Sequence, residues 1–224
     1  MYAEPRFLLA GDSALVAEFG DEISEEVNRK VHALAEALEE NPLPGLGEAV
    51  PSYRSLLVHY DPLCLSWDEV KASLTDLLRK WEDVPLPEPR VIEVPVVYGG
   101  EFGPDIEFVA EHNGLSVEEV VRIHSGAIYL VYMLGFSPGF AYLGGMPKAI
   151  ATPRLETPRT LVSAGSVGIA GEQTGIYPTA TPGGWRLIGR TALQLFDPQR
   201  DPPTLLKAGD AVRFVPVSEE EYWA

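Results

Sequence analysis

The chain has one cysteine, few histidines, few basic residues and no long hydrophobic run. Cys64 is alone and the four histidines are scattered over 224 residues, so we expect neither an internal disulfide nor a metal site. No apolar stretch reaches the ~18 residues of a membrane-spanning helix. The chain has 17 Lys and Arg residues against 33 Asp and Glu, which gives a net charge of −16. This charge argues against nucleic acid and membranes as partners. These absences predict a cytoplasmic protein.

Residues 1–84 show the periodicity of a small α/β domain. Ser24 and Ser66 each begin an apolar pattern with the spacing of a helix, and each is followed by acidic residues that favour a helix start. β-rich runs precede both helices, at Arg6–Leu9, Ala14–Phe19, Ala49–Tyr53 and Ser55–Tyr60. The order ββαββα predicts a two-layer sandwich of one sheet and two helices, with Trp81 among the inward residues of the second helix.

A proline-rich connector, Val84–Pro89, predicts the boundary to a second domain of residues 85–224. A strand at Arg90–Tyr98 and two short helices begin that domain. Glycine and proline then separate several short β-type runs, at Ile128–Leu134, Thr160–Val162, Val167–Ala170, Ala192–Phe196 and Ala211–Pro216. Such short, punctuated strands predict a closed or semi-closed β-barrel.

Glycine is concentrated in one segment, Gly135–Gly189, which holds 11 of the 21 glycines and 6 of the 50 charged residues. Its charge is +2, so the rest of the chain carries −18. Dense glycine allows tight turns and close backbone approach. A locally cationic, glycine-rich segment in an acidic chain predicts a site for a small anionic ligand.

Two arginines of this segment, Arg154 and Arg159, lie between prolines that restrict the loop. A guanidinium held in this way suits a carboxylate or phosphate, although pairing with a neighbouring acid is an equally good interpretation. His124 precedes the segment at a predicted helix end. It is either a cation that stabilises the helix terminus or a general base at a pocket rim.

Gln173, Thr174 and Tyr177 offer an amide, a hydroxyl and a phenol that could bind an amide or lactam edge, or simply stabilise a turn. Ser166 lies in a near match to a nucleophile elbow. No helix-forming run and no histidine follow it, so we interpret it as a hydrogen-bond donor. The aromatic residues and proline that could line the same pocket, with the core as the favoured alternative for any one aromatic, are Phe136, Pro138, Phe140, Tyr142 and Trp185.

These residues fall in five ordered blocks that resemble the allophanate hydrolase subunit 1 family. The blocks run from His124 through Leu134–Gly144, Pro158–Thr160, Ala164–Gly171, Gln173–Pro178 and Pro182–Trp185. Ser163 departs from the family pattern, which has proline there. The resemblance implies a cyclophilin-like barrel for the second domain, hence an α+β sandwich followed by a mainly-β barrel.

The family includes a subunit of bacterial 5-oxoprolinase, a Kip-type inhibitor of a sensor histidine kinase, and modules of the carboxyltransferase part of urea carboxylase. The first resemblance implies an ATP-dependent complex with a larger sister subunit and a third component, acting on a small anionic amide. In that complex Arg154 or Arg159 would hold the carboxylate, Gln173 and Tyr177 would contact the lactam, and His124 would assist proton transfer. The kinase inhibitor and the urea-carboxylase-like carboxyltransferase remain the alternatives.

Overall fold

The computed structural model describes residues 1–81 and 88–223, and for Trp81 it describes the backbone but not the side chain. The inward side chain predicted for Trp81 and the connector residues 84–87 lie outside the described residues. The chain divides into two compact units, Met1–Glu88 and Pro89–Ala224, against a predicted division after residue 84.

The first unit is the predicted sandwich of a four-stranded antiparallel sheet and two helices. In the sheet the strand order is β1-β2-β4-β3. Apolar side chains of both helices and the sheet form one core that includes Leu15, Val31, Leu56 and Leu74. The elements are β1 (Arg6–Leu9), β2 (Ala14–Glu18), α1 (Glu25–Glu40), β3 (Leu46–Pro51), β4 (Ser55–Tyr60) and α2 (Trp67–Trp81).

Both helices of this unit begin at the predicted serines. The Ser24 hydroxyl accepts a hydrogen bond from the Val27 N–H at 3.3 Å. Ser66 and Glu69 form a reciprocal capping box, with each side chain accepting from the other's backbone N–H. The caps satisfy N–H groups that have no partner within the helix, so the sequence could locate these starts.

The second unit is built on a closed seven-stranded barrel in the order β10-β7-β6-β13-β5-β12-β9. Strands β5 and β13 run parallel and the other neighbours are antiparallel. A separate two-stranded ribbon pairs β8 with β11. The strands are β5 (Val91–Tyr98), β6 (Ile128–Leu134), β7 (Ala141–Gly144), β8 (Arg159–Val162), β9 (Ser166–Ala170), β10 (Gln173–Ile176), β11 (Thr181–Gly183), β12 (Arg186–Arg190) and β13 (Ala211–Pro216), and the helices are α3 (Ile106–Asn113), α4 (Val117–Ser125) and α5 (Glu219–Trp223).

The strand predicted at Ala192–Phe196 is wrong. Within it only Phe196 forms a bridge, to Thr204. The chain that follows carries Pro198, Pro202 and Pro203, which have no N–H to donate to a ladder. The predicted run therefore packs on the core through the buried side chain of Leu195 but does not join the barrel as a strand.

The sequence did not predict four strands, β7, β10, β11 and β12, and the three of them in the barrel, β7, β10 and β12, contain glycine at positions of close contact. A Cβ at Gly144 would overlap the ring of Tyr132, and one at Gly189 would lie 2.6 Å from Val96 Cγ1. Gly175 would bring a Cβ to 3.1 Å from the ring of Trp185. Glycine lowers strand propensity in isolation, but here it permits close packing around a small barrel.

Candidate functional site

A second hydrophobic cluster lies on the outer face of the barrel, apart from the main core. Side chains alternate between the faces of a strand: in β9, Val167 and Ile169 belong to the main core and Ala170 to the outer cluster. The aromatic members Phe140, Tyr142, Tyr177 and Trp185 are called the aromatic cluster below.

Phe140 is the centre of the aromatic cluster. Its ring centroid lies 5.0 Å from that of Tyr142 and 5.5 Å from those of Tyr177 and Trp185, in edge-to-face geometry. Such contacts add about 0.5–1.5 kcal/mol each beyond area burial. Phe140, Tyr177 and Trp185 are 2%, 1% and 6% exposed, so the core interpretation holds for all three.

A pair of facing glycines forms the floor under these rings. Gly168 and Gly175 are register partners in β9 and β10. A Cβ on Gly168 would lie 3.1 Å from Trp185 Cβ, and one on Gly175 would lie 3.2 Å from Phe140 Cζ. The glycines therefore let the aromatic rings lie directly on the sheet.

The two predicted arginines lie beside the aromatic cluster. The Arg154 guanidinium carbon is 5.9 Å from the centre of the Trp185 ring. Burial raises the pKa of Tyr177, while a hydrogen bond with the Trp185 backbone and the charges of Arg154 and Arg159 oppose that rise. The structure thus places both arginines near Tyr177 and Arg154 also near Trp185, while their role in binding stays a prediction.

Arg159 is held by an acid that the sequence analysis did not select. Its Nη2 donates to Asp105 Oδ1 at 2.9 Å, and Asp105 Oδ2 accepts the Leu187 N–H at 2.7 Å. The Asp105 N–H in turn donates to the Leu187 carbonyl at 2.9 Å. Asp105 precedes α3 but makes no side-chain cap to it. The signal that could have found it is an acid at a helix start in the tight sequence Gly103-Pro104-Asp105.

Two buried polar atoms near the aromatic cluster lack a hydrogen-bond partner among the described residues. They are Arg159 Nη1 and Ser137 Oγ. A buried donor without a partner costs about 1–3 kcal/mol. Between Ser137 and the barrel strand β6, Phe136 has φ +66°, a conformation that strains a bulky residue. Unsatisfied donors and backbone strain therefore occur together at this surface.

His124 and Thr174 lie inside the barrel rather than at the aromatic cluster. Both are 0% exposed. His124 Nδ1 is 2.8 Å from the Tyr98 hydroxyl, and Nε2 is 2.9 Å from Thr174 Oγ1. Thr174 Oγ1 donates its proton to the Gly168 carbonyl at 3.1 Å, so it accepts from His124 Nε2–H, and Nδ1 accepts from Tyr98.

Burial lowers the pKa of the His124 ring to about 3, so the ring is neutral near pH 7, which agrees with Nδ1 accepting from Tyr98. The interpretation of His124 as a cation at a helix terminus is wrong, because a neutral imidazole carries no charge to offer the dipole. Its role as a general base stays a prediction, and it requires the ring to leave this interior position.

The remaining predicted residues are distributed around the aromatic cluster. Phe136 is 64% exposed and its ring centroid lies 5.4 Å from that of Phe140, and Pro138 is exposed in the same loop. Ser166 is buried at the start of strand β9, so no nucleophile elbow forms. Gln173 is half-buried at the start of β10 and contacts neighbouring groups.

Across residues 1–81 and 88–223, no group of three or more His, Cys, Asp or Glu side chains is arranged to hold a metal ion. No helix in these ranges is both long and apolar enough to span a bilayer. A groove of about 650 Å³ in the first unit contains no predicted site residue and is bordered by Tyr2–Pro5 and helices α1 and α2.

Comparisons with known proteins give one consistent result. Residues 5–206 match the family of carboxyltransferase domains, subdomain C and D. A 5-oxoprolinase subunit from Bacillus subtilis (strain 168) is 53% identical, covering 96% of this chain and 93% of the relative. The corresponding 5-oxoprolinase subunit from Escherichia coli O157:H7 is 48% identical, with coverage of 96% and 97%.

A solved structure supports the fold. The crystal structure of TTHA0988 is 44% identical to this chain and superposes with a TM-score of 0.81. The match covers 92% of this chain but 40% of TTHA0988. The sandwich followed by a barrel is therefore also found as part of a longer polypeptide.

Proposed function

Because the chain belongs to the family of carboxyltransferase domains, subdomain C and D, we propose that it is a subunit of a 5-oxoprolinase. The observation that carries the proposal is the end-to-end match to two proteins named as 5-oxoprolinase subunits, at 53% and 48% identity. The surface with Arg154 and Arg159 supports it, because the substrate 5-oxo-L-proline is a small lactam with a carboxylate.

The proposed reaction opens the lactam to L-glutamate at the expense of ATP. Transfer of the terminal phosphoryl group of ATP to the lactam oxygen releases ADP and activates the ring carbon. Addition of water and cleavage of the carbon–nitrogen bond leave an acyl phosphate and an amino group that takes a proton. A second water then releases phosphate. The sequence contains no P-loop motif, so we assign ATP to the complex as a whole, with a larger sister subunit and a third component as partners.

Within this chain we assign the substrate carboxylate to the arginines beside the aromatic cluster. A guanidinium offers a planar pair of donors that match a carboxylate. Tyr142 and Phe136 are the aromatic side chains at this surface that are not fully buried. Gln173, half-buried at the start of β10, is the candidate for contact with the lactam amide.

The test is release of glutamate from 5-oxoproline and ATP by purified components. The chain would be assayed alone, with its sister subunit, and with the sister subunit and the third component. We expect activity only in the full mixture. Glutamate release that does not depend on this chain, or no release from any mixture of folded proteins, would overturn the proposal. The second result would favour the kinase-inhibitor alternative.

A further inference from the structure

We propose that Arg159 is the group that receives the ligand carboxylate and that Asp105 is the positioning residue that holds it, with the Ser137 hydroxyl as a second donor of the same site. This inference deepens the proposed function, on which its assignment of the ligand rests. The observations that carry it are the two donors left without partners and the geometry of the Asp105 contacts.

The Asp105–Arg159 pair differs from a simple structural ion pair. Asp105 uses both oxygens, one for Arg159 Nη2 and one for the Leu187 N–H of the barrel strand β12. The guanidinium is thereby fixed to the barrel through one nitrogen, while Nη1 finds no acceptor among the described residues. Buried polar groups nearly always have a hydrogen-bond partner. We therefore infer that the acceptor for Arg159 Nη1 is a bound ligand.

The charges near Arg159 select an anion. Asp105 neutralises one arginine, and Arg154 makes no ion pair with any described residue. Arg186 adds a third cation, with its guanidinium carbon 3.7 Å from the centre of the Phe108 ring. The two carboxylates of the segment Gly135–Gly189, Glu156 and Glu172, are both exposed, and Glu172 pairs with Lys148. A planar carboxylate matches the guanidinium edge of Arg159 and also supplies a counter-ion for Arg154, which a neutral lactam would not do.

Arg159 lies on a two-stranded ribbon that is separate from the hydrogen-bonded strands of the barrel. Strands β8 and β11 pair with each other, and their register shifts between Thr181 and Gly183. A Cβ on Gly183 would overlap the Tyr177 hydroxyl, so this ribbon packs directly over the aromatic cluster. Arg159 Nη1 is buried in this structure, so the proposal requires the ribbon to shift before a ligand carboxylate can reach it. Ser137, in the loop before Phe140, borders the same cluster through its carbonyl, which accepts the Phe140 N–H at 3.0 Å.

The first experiment measures binding to the full chain alone. Arginine side-chain N–H signals would be followed by NMR during titration with 5-oxoproline and, in parallel, with 2-pyrrolidinone, which has the lactam and lacks the carboxylate. We expect saturable shifts with 5-oxoproline only. Asp105→Asn and Arg159→Lys should each weaken binding about 10-fold or more. The first removes the carboxylate that holds Arg159, and the second replaces the planar guanidinium with an ammonium group that cannot donate two parallel hydrogen bonds. Ser137→Ala should weaken binding less.

The matched control is Glu93→Gln. Glu93 pairs with Arg213 on the exposed surface of the barrel, so its loss removes a carboxylate from an arginine without touching the proposed site. We expect the control to bind like the unsubstituted chain. If Asp105→Asn only lowered the melting temperature and left the affinity of the folded protein unchanged, Asp105 would be structural and the inference would be wrong.

The second experiment uses the complete complex. Asp105→Asn should raise KM for 5-oxoproline about 10-fold and change kcat by less than about 2-fold, since it removes binding shared by substrate and transition state. Where the isolated chain binds too weakly to measure, this KM decides. An unchanged KM in Asp105→Asn and Arg159→Lys overturns the inference while the proposed function stands. Carboxylate binding by the chain without glutamate release by any complex overturns the proposed function while the anion site stands.

Discussion

The buried His124 gives a sharp prediction about stability and pH. Its ring is fully buried, donates to Thr174 and accepts from Tyr98. Burial lowers its pKa in the folded chain from 6.5 to about 3. The unfolded chain therefore binds a proton at a pH where the folded chain does not. The stability contributed by the neutral ring is complete above pH 6.5 and is lost progressively as pH falls toward 3.

The magnitude follows from the two pKa values. At pH 5 the unfolded state gains about 2 kcal/mol from protonation of this one residue, since each pH unit below its ordinary pKa contributes about 1.4 kcal/mol. For a domain of this size, that corresponds to a fall in melting temperature of roughly 4–8 °C. Most carboxylates titrate below this window, so the effect of His124 can be measured between pH 7.5 and 5.

The assay is thermal unfolding across this range for the unsubstituted chain, His124→Gln and His59→Gln. Glutamine retains a donor and an acceptor but does not titrate, so His124→Gln should show a smaller loss of stability on acidification. His59 is exposed, so His59→Gln is the control for the loss of a histidine that is not buried in the barrel. If His124→Gln does not fold, NMR of the imidazole in the unsubstituted chain decides. A ring that titrates near pH 6.5, or equal pH slopes in all three proteins, would refute the reasoning.

The remaining predictions concern close packing and backbone strain. Gly144→Ala should lower the free energy of unfolding by about 1–3 kcal/mol, because the new methyl group would overlap the ring of Tyr132. The control is Gly184→Ala, whose Cβ would lie at an ordinary 3.5 Å from Pro158. Equal midpoints of urea unfolding for the two variants would contradict this explanation. Phe136→Asn should leave stability unchanged or raise it by up to about 1 kcal/mol, because asparagine tolerates positive φ and the phenylalanine side chain is mostly exposed. A loss above 1 kcal/mol in chemical unfolding would show that the Phe136 ring contributes packing that outweighs its strain.

The sequence could predict the first unit almost completely, and the reason is local. Ser24 and Ser66 satisfy helix N–H groups within three residues of themselves, and the apolar periods of α1 and α2 are those of helices with one buried face. The exception is β3, which spans Leu46–Pro51 rather than the predicted Ala49–Tyr53 and includes Gly47 and Pro51, residues that are disfavoured in strands. Elsewhere in the unit, local pattern and fold agree.

The barrel was harder because its glycines are explained by partners distant in sequence. Gln173–Ile176 was interpreted as a loop, yet it is the strand β10, with Gly175 facing Gly168 and Tyr142 on its two neighbours. The arginines and aromatic residues of the candidate site lie close together, and their role in binding stays a prediction. The sequence could not indicate Asp105, because its role depends on a hydrogen bond to Leu187 in β12, far away along the chain. It could not indicate Ser137, because what sets this residue apart is a buried hydroxyl that has no hydrogen-bond partner among the described residues.

Strand β10 explains why the candidate residues separate into two groups. Its alternation sends Thr174 inward to His124 and places Gly175 under the aromatic cluster, close to the rings of Trp185 and Phe140. The interior group is neutral and fully hydrogen-bonded, so it can fix the strand but has no free group for a ligand. The outer group has unpaired donors, strain and cations. We therefore expect ligand affinity to respond to substitutions on the outer face, and substitutions of His124 to act first on stability.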